Sequence, residues 1–172
     1  KDLIEPETEY LLVLKLNVGS GQEIKYYTRV INPGELYLTE KLDFVNDFHE
    51  KTFDKEQAKD LVKNMETNAD GDNSSFEHVD IHSNLEQLTW GDLKPQVLED
   101  PDLKIKEMDP EYATIEMTYR VAVEEDLFNI KEFYRIRRGE ERIYLMEFER
   151  TMDQIFDPEQ TILVKDQLLL GI

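Results

Sequence analysis

The feature that most constrains this chain is a run of three alternating segments between Glu111 and Met152. In the first, Ile115, Met117, Tyr119, Val121 and Val123 alternate with Thr114, Glu116, Thr118, Arg120 and Ala122. A period of two places each set on its own face of a β-strand. The second carries Phe128, Ile130, Tyr134 and Ile136 at even spacing, with Phe133, Arg135 and Arg137 opposite. The third sets Tyr144, Met146 and Phe148 against Ile143, Leu145, Glu147 and Glu149. Arg138-Gly139-Glu140 supplies a turn, and β-branched and aromatic residues dominate all three segments. The pattern predicts a three-stranded antiparallel meander.

The residues ahead of it supply the remaining elements. Glu9 to Val18 is nearly continuous apolar and reads as a strand covered on both faces. Gly19-Ser20-Gly21 turns the chain back into a second strand, Gln22 to Ile31, and Asn32-Pro33-Gly34 ends it. Thr39 is an N-cap for a helix reaching Lys51, with Leu38, Leu42, Phe44, Val45 and Phe48 inward. Asp54 with Gln57 has capping-box spacing and opens a second helix through Ala58, Leu61, Val62 and Met65. Asn68 to Ser75 has loop composition, Phe76 to Ile81 is extended, and Leu85 to Trp90 is a strand or a short helix. Asp102 to Met108 alternates as a further strand, and Thr161 to Ile172 suggests a terminal hairpin around Asp166. A hairpin, two helices and then mostly antiparallel strands define an α+β fold. The expected organisation is a single domain: hairpin extension 1–34, helix pair plus antiparallel sheet 39–152, terminal strand segment 157–172.

In element order, Thr39 to Met152 resembles the cystatin-like or nuclear-transport-factor-like cone, whose N-terminal helices pack across a long curved sheet. The segments KLDFVNDFHEKTFDKEQAKDLVKNMETN and EFYRIRRGEERIYLMEFERTMDQIF are similar to uncharacterised extracytoplasmic domains of Gram-positive membrane-anchored proteins. That resemblance implies the extracellular or cell-surface side of a bacterial membrane, with the cytoplasm as the alternative, and implies no known activity.

Composition removes several classes of function. Twenty Lys and Arg against 39 Asp and Glu give a net charge of −19, which speaks against nucleic acid and anionic membrane surfaces. With no cysteine, disulfides, thiol catalysis and thiolate metal sites are excluded. No apolar run approaches the ~18 residues of a membrane span, so direct insertion of this segment is not expected. The chain starts at Lys1 and ends in an apolar stretch, which leads to the expectation of a longer parent, with a signal peptide or anchor upstream.

Three constellations could carry chemistry. His78, Asp80 and His82 would share one face of a strand and offer two imidazoles and a carboxylate to zinc or iron. On a straight strand, however, the two histidines stand ~13 Å apart, so one ion would need a bulge; the competing reading is a polar strand face. Glu66, Asn68, Asp70, Gly71 and Glu77 fall at positions 1, 3, 5, 6 and 12 of a calcium loop. Glu66 stands where a short Asp is needed and Asn73 where an apolar residue is usual, so an acidic surface loop is the simpler account. In the meander, Arg135, Arg137, Glu147, Glu149 and Arg150 lie among aromatics. If the sheet curves, Tyr119, Tyr134, Arg135 and Glu147 would line a ligand pocket; otherwise the charges are cross-strand ion pairs. His49 reads as a half-exposed helix residue.

No phosphate loop and no triad is present. The favoured expectation is a non-catalytic interaction or structural module, requiring no cofactor, bound to a protein partner or to the rest of its parent chain. A metal-dependent hydrolase at His78, Asp80 and His82, or a small-ligand domain, are the alternatives.

Overall fold

A computed structural model describes residues 4–19, 21–71 and 74–155, and the backbone of 163–164 and 167–168. The chain divides into two compact units, 1–37 and 38–172. The fold is α+β.

The first unit is a β-hairpin. Strands β1 (Glu9–Val18) and β2 (Gln22–Ile31) pair antiparallel from Glu9↔Ile31 to Val18↔Gln22. Gly21 takes a φ of +76° at the turn, a conformation that costs glycine nothing. The continuous apolar run of β1 led to the expectation of a strand covered on both faces. Instead, its described residues are exposed or half-buried. The register explains the run. Tyr10, Leu12, Leu14, Leu16 and Val18 share one face with Val30, Thr28, Tyr26, Ile24 and Gln22. The other face mixes Leu11, Val13, Tyr27 and Ile31 with Glu9, Lys15, Glu23, Lys25 and Arg29.

The second unit is helices against a sheet. Helix α1 (Leu38–Thr52) has Glu40 in its first turn and His49 and Lys51 in its last, which suits the helix dipole. Asp47 and Lys51 pair at i,i+4. Its buried stripe is Lys41, Val45, Phe48, His49 and Thr52, a helical i, i+4, i+7, i+8, i+11 pattern. Leu38 is exposed, contrary to expectation. The segment Gln57–Asn64 winds as a 3₁₀ helix. Asp54 Oδ1 accepts the Glu56 and Gln57 amides and Gln57 Nε2 donates to Oδ2, fixing the entry. With three residues per turn, Ala58 and Leu61 stack inward and Val62, one step on, is exposed.

The sheet runs β3 (His78–Asp80), β8 (Ile143–Gln154), β7 (Asp126–Arg138), β6 (Tyr112–Val123), with β4 (Gln96–Val97) and β5 (Asp102–Met108) both pairing β6. The predicted meander is therefore its centre. Short helix α2 (Leu85–Leu88) carries a capping box between Asn84 and Gln87. Residues Leu163–Val164 and Gln167–Leu168 pair antiparallel as β9 and β10, flanking Lys165 and Asp166; the rest of the terminal segment lies outside the described residues.

One strand departs from its predicted alternation. In β8 the register shifts between Arg135↔Glu147 and Ile136↔Leu145, leaving Met146 as the extra residue of a bulge. Ile143, Leu145, Phe148 and Arg150 are buried, and Met146 and Glu147 are exposed. The bulge switches parity within the strand, so Met146 does not share the face of Phe148.

Phe48 packs at ring distances of 5.7 Å from Tyr134 and 5.2 Å from Phe148. Leu61 is buried with them, and Phe44 and Met65 pack against the cluster. Each fully buried side chain of this kind contributes about 1.5–3 kcal/mol. These side chains fill the centre of the helix–sheet interface, and an open cleft of about 240 Å³ runs along its edge between Phe44, Phe48, Leu61 and Ile143.

Candidate functional site

Within that core lies a cluster of polar side chains built from four elements. Glu132 of β7 is fully buried, on the same strand face as Ile130, Tyr134 and Ile136. Its Oε2 meets His49 Nδ1 at 2.9 Å and accepts the Tyr134 hydroxyl at 2.6 Å; Oε1 accepts the Tyr119 hydroxyl at 2.8 Å. His49 comes from α1 and is itself buried, edge-on to Tyr119 at 4.8 Å, so the half-exposed placement is overturned. Arg150 stands opposite Glu132 in register and is also fully buried. Its guanidinium donates to the Leu88 and Gln87 carbonyls at 3.0 and 2.7 Å, closing the C-terminal end of α2. The Trp90 ring covers it at 3.6 Å. The chain reaches that position through two left-handed residues, Trp90 at φ +66° and Gly91 at φ +54°. A Cβ at 91 would lie 2.5 Å from the end of the Phe76 ring and would strain the left-handed backbone, and glycine avoids both.

Burial pushes the Glu132 carboxyl up. His49, Arg150 and Tyr134 together outweigh it and hold the carboxyl below its ordinary value. Burial first, and then the Glu132 charge, pushes the Tyr119 and Tyr134 hydroxyls well above theirs. Burial lowers Arg150, against the raising charge of Glu132. An acid–base catalyst must reach a substrate proton at about 2.6–3.2 Å. Glu132 accepts three partners and is shut off from solvent, so as arranged it offers no atom to a solute.

The four residues expected to line a pocket do not converge. Tyr119 and Tyr134 face inward and are buried, whereas Arg135 and Glu147, opposite one another in register, are exposed on the other face. Strand parity separates Tyr134 from Arg135, and the bulge beside Glu147 does not bring it back. Glu149 is also exposed; of the five meander charges, Arg150 alone sits in the core.

His78 and Asp80 lie on β3, opposite Thr151 and Glu149, and His82 follows the strand in a turn. All three border an open cleft of about 430 Å³, with Asn68, Gly71, Ser75, Glu77 and Ser83. Asp80 Oδ1 accepts the His82 amide at 2.9 Å and the Ser83 hydroxyl at 3.1 Å, and His82 Nδ1 lies 3.1 Å from the Glu66 carbonyl. These contacts shape the turn. In the loop, Asn68 Oδ1 accepts the Asp70 amide and the Gly71 amide bonds the Asn68 carbonyl. Among the described residues no three His, Asp or Glu side chains converge as a metal site; Asp72 and Asn73 lie outside them.

Sequence reasoning missed Glu132 and His49. The signal was present: Glu132 has the parity of Ile130 and Tyr134, and His49 lies four residues after Val45. Polarity alone kept both out of the expected core.

No family model, curated protein or solved structure matches the chain. Among the described residues no helix is long and apolar enough to cross a membrane.

Proposed function

We propose that this chain is a non-catalytic interaction and structural module of a larger protein on the outer side of a bacterial membrane, and that the β1–β2 hairpin is its contact element. One observation carries the reading: the hairpin face from Tyr10 to Val18 and Gln22 to Val30 holds no charged side chain, in a chain of net charge −19. Ten of the seventeen exposed large apolar side chains among the described residues lie between Ile4 and Ile31. An apolar surface concentrated in this way marks an interaction site. The sealed state of the Glu132 cluster supports the non-catalytic part, and the resemblance to extracytoplasmic domains supports the location.

The test is photo-crosslinking in the native cell, with a photoreactive residue at Leu14 or, for comparison, at Glu147 on the polar sheet face. Protein adducts from position 14 and few from 147 are expected. Stoichiometric zinc, iron or manganese in the purified chain, with hydrolytic turnover lost in His78→Ala, would overturn it.

A further inference from the structure

We propose that the cleft between α1, the 3₁₀ segment and the start of β8 binds a small monocarboxylic acid with an apolar body, one aromatic ring or a short branched chain. The site lies wholly within the second unit and goes beyond the reading of the hairpin as contact element.

The floor is apolar and rigid. Phe44, Asp47, Phe48 and Lys51 line the cleft at i, i+3, i+4 and i+7, one stripe of α1. Leu61 enters from the 3₁₀ segment and Ile143 from the first position of β8. Phe48, Leu61 and Ile143 are 1%, 2% and 8% exposed, so core packing fixes their rotamers. The half-buried Phe44 ring stands 6.4 Å from that of Phe48. A ligand here touches the outer edge of the core without opening it. The space of about 240 Å³ lies below the ~300–1,000 Å³ of sites for drug-sized molecules. It admits a single ring or a short chain and is too small for a nucleotide.

Charge sets the head group. The lining carries Lys51, Lys63 and Arg142 against Asp47 and Asp60. Lys51 and Asp47 neutralise each other at 2.7 Å. Among the described residues Lys63 and Arg142 enter no ion pair. The Arg142 carbonyl accepts the Gly139 amide at 2.9 Å, and its guanidinium lies over the Tyr144 ring at 4.4 Å, so the residue is held at both ends. A guanidinium on a ring uses its face and keeps N–H donors for a carboxylate. Lys63 and Arg142 against Asp60 leave one positive charge in excess, in a chain of net charge −19. A singly charged anion matches that excess; a neutral molecule leaves it unanswered and a cation opposes it.

Other clefts differ in balance or in walls. The cleft of about 660 Å³ around Arg120 and Lys131 sets four carboxylates against those two cations. The cleft beside Trp90 has Lys55 and Lys94 against Asp92, but 91–96 that wall it form a loop and the end of a two-residue strand. Helix and strand hold a site more closely than a loop does.

Titration of 3-phenylpropionate into the 172-residue chain at fixed ionic strength, followed by methyl and amide chemical shifts, tests this. Saturating shifts at Leu61 and Ile143 are expected, with a Kd of order 1 mM for a ligand of this size. The neutral 3-phenylpropanamide should bind ~5-fold more weakly. Lys63→Gln combined with Arg142→Gln, both exposed positions, should weaken the acid by ~5-fold and the amide by less than ~2-fold. Asp60→Asn should tighten the acid by ~2-fold or more, a gain that loss of packing cannot produce. Unshifted methyl signals elsewhere verify the fold of each variant. No saturating shift at Leu61 and Ile143, an amide that binds as tightly as the acid, or shifts centred on Leu93 beside Trp90 would overturn the proposal. Each of these results leaves the hairpin reading, tested by crosslinking at Leu14, where it stands.

Discussion

Glu132 and Arg150 stand directly opposite each other on neighbouring strands, both fully buried, yet each directs its hydrogen bonds elsewhere. The carboxylate takes His49, Tyr119 and Tyr134, and the guanidinium takes the end of α2. Their charges compensate across the strand pair while their bonds fasten β7 to α1 and β8 to α2.

Breaking one side of this arrangement is expected to be severe. Glu132→Gln leaves Arg150 without its counter-charge and should cost about 3–5 kcal/mol in urea unfolding. Glu132→Gln combined with Arg150→Met should cost less than the sum of the two single changes, because each removes the other's uncompensated charge.

The same carboxylate sets an acid limit. In the unfolded chain Glu132 titrates near 4.5, and in the fold it is held lower. Between those values the unfolded chain binds more protons, so stability falls as pH falls. This contribution is whole above about pH 4.5 and is lost as pH drops through the folded value. Unfolding free energy measured below pH 4.5 should decline less steeply in the double variant than in the wild type. The difference should approach 1.4 kcal/mol per pH unit at most.

Lys41 is a buried cation that serves the backbone. Its ammonium donates to the carbonyls of Asp109, Pro110 and Tyr112, holding the β5–β6 turn against α1, and burial lowers its pKa. Lys41→Met strands those carbonyls and should cost about 1–3 kcal/mol in denaturant unfolding. Faster amide exchange at Glu111 and Tyr112 should accompany it.

Met146 separates the observed strand from the straight one. As the extra residue of a bulge it is exposed, and Met146→Ser should change unfolding free energy by no more than about 0.5 kcal/mol. A core methionine, as straight alternation requires, would cost about 2–5 kcal/mol. A large loss would place the side chain inside.

The meander strands were legible because buried positions alternate with more open ones at a period the backbone imposes, and 115 to 121 hold that pattern. The hairpin was legible from the Gly19-Ser20-Gly21 turn between two strand-like runs. The bulge was not legible: an extra residue changes parity without changing composition, and its place is set by pairing with β7. The turn chemistry at Asp54 was readable, but not that the helix would close at three residues per turn.

By itself the sequence determined the α+β class, the order of hairpin, helices and meander, and the acidic character of the chain, since these follow from local periodicity and a count of charges. Periodicity put Glu132 and His49 at inward positions, and tertiary structure alone decided that polar side chains could be kept there. Glu132 can be buried only because His49, 83 residues away, and Arg150 on the next strand meet it there, and compensation between distant groups has no local signature. It also decided that Arg135 and Glu147 face away from Tyr119 and Tyr134, because a face is a property of the assembled sheet.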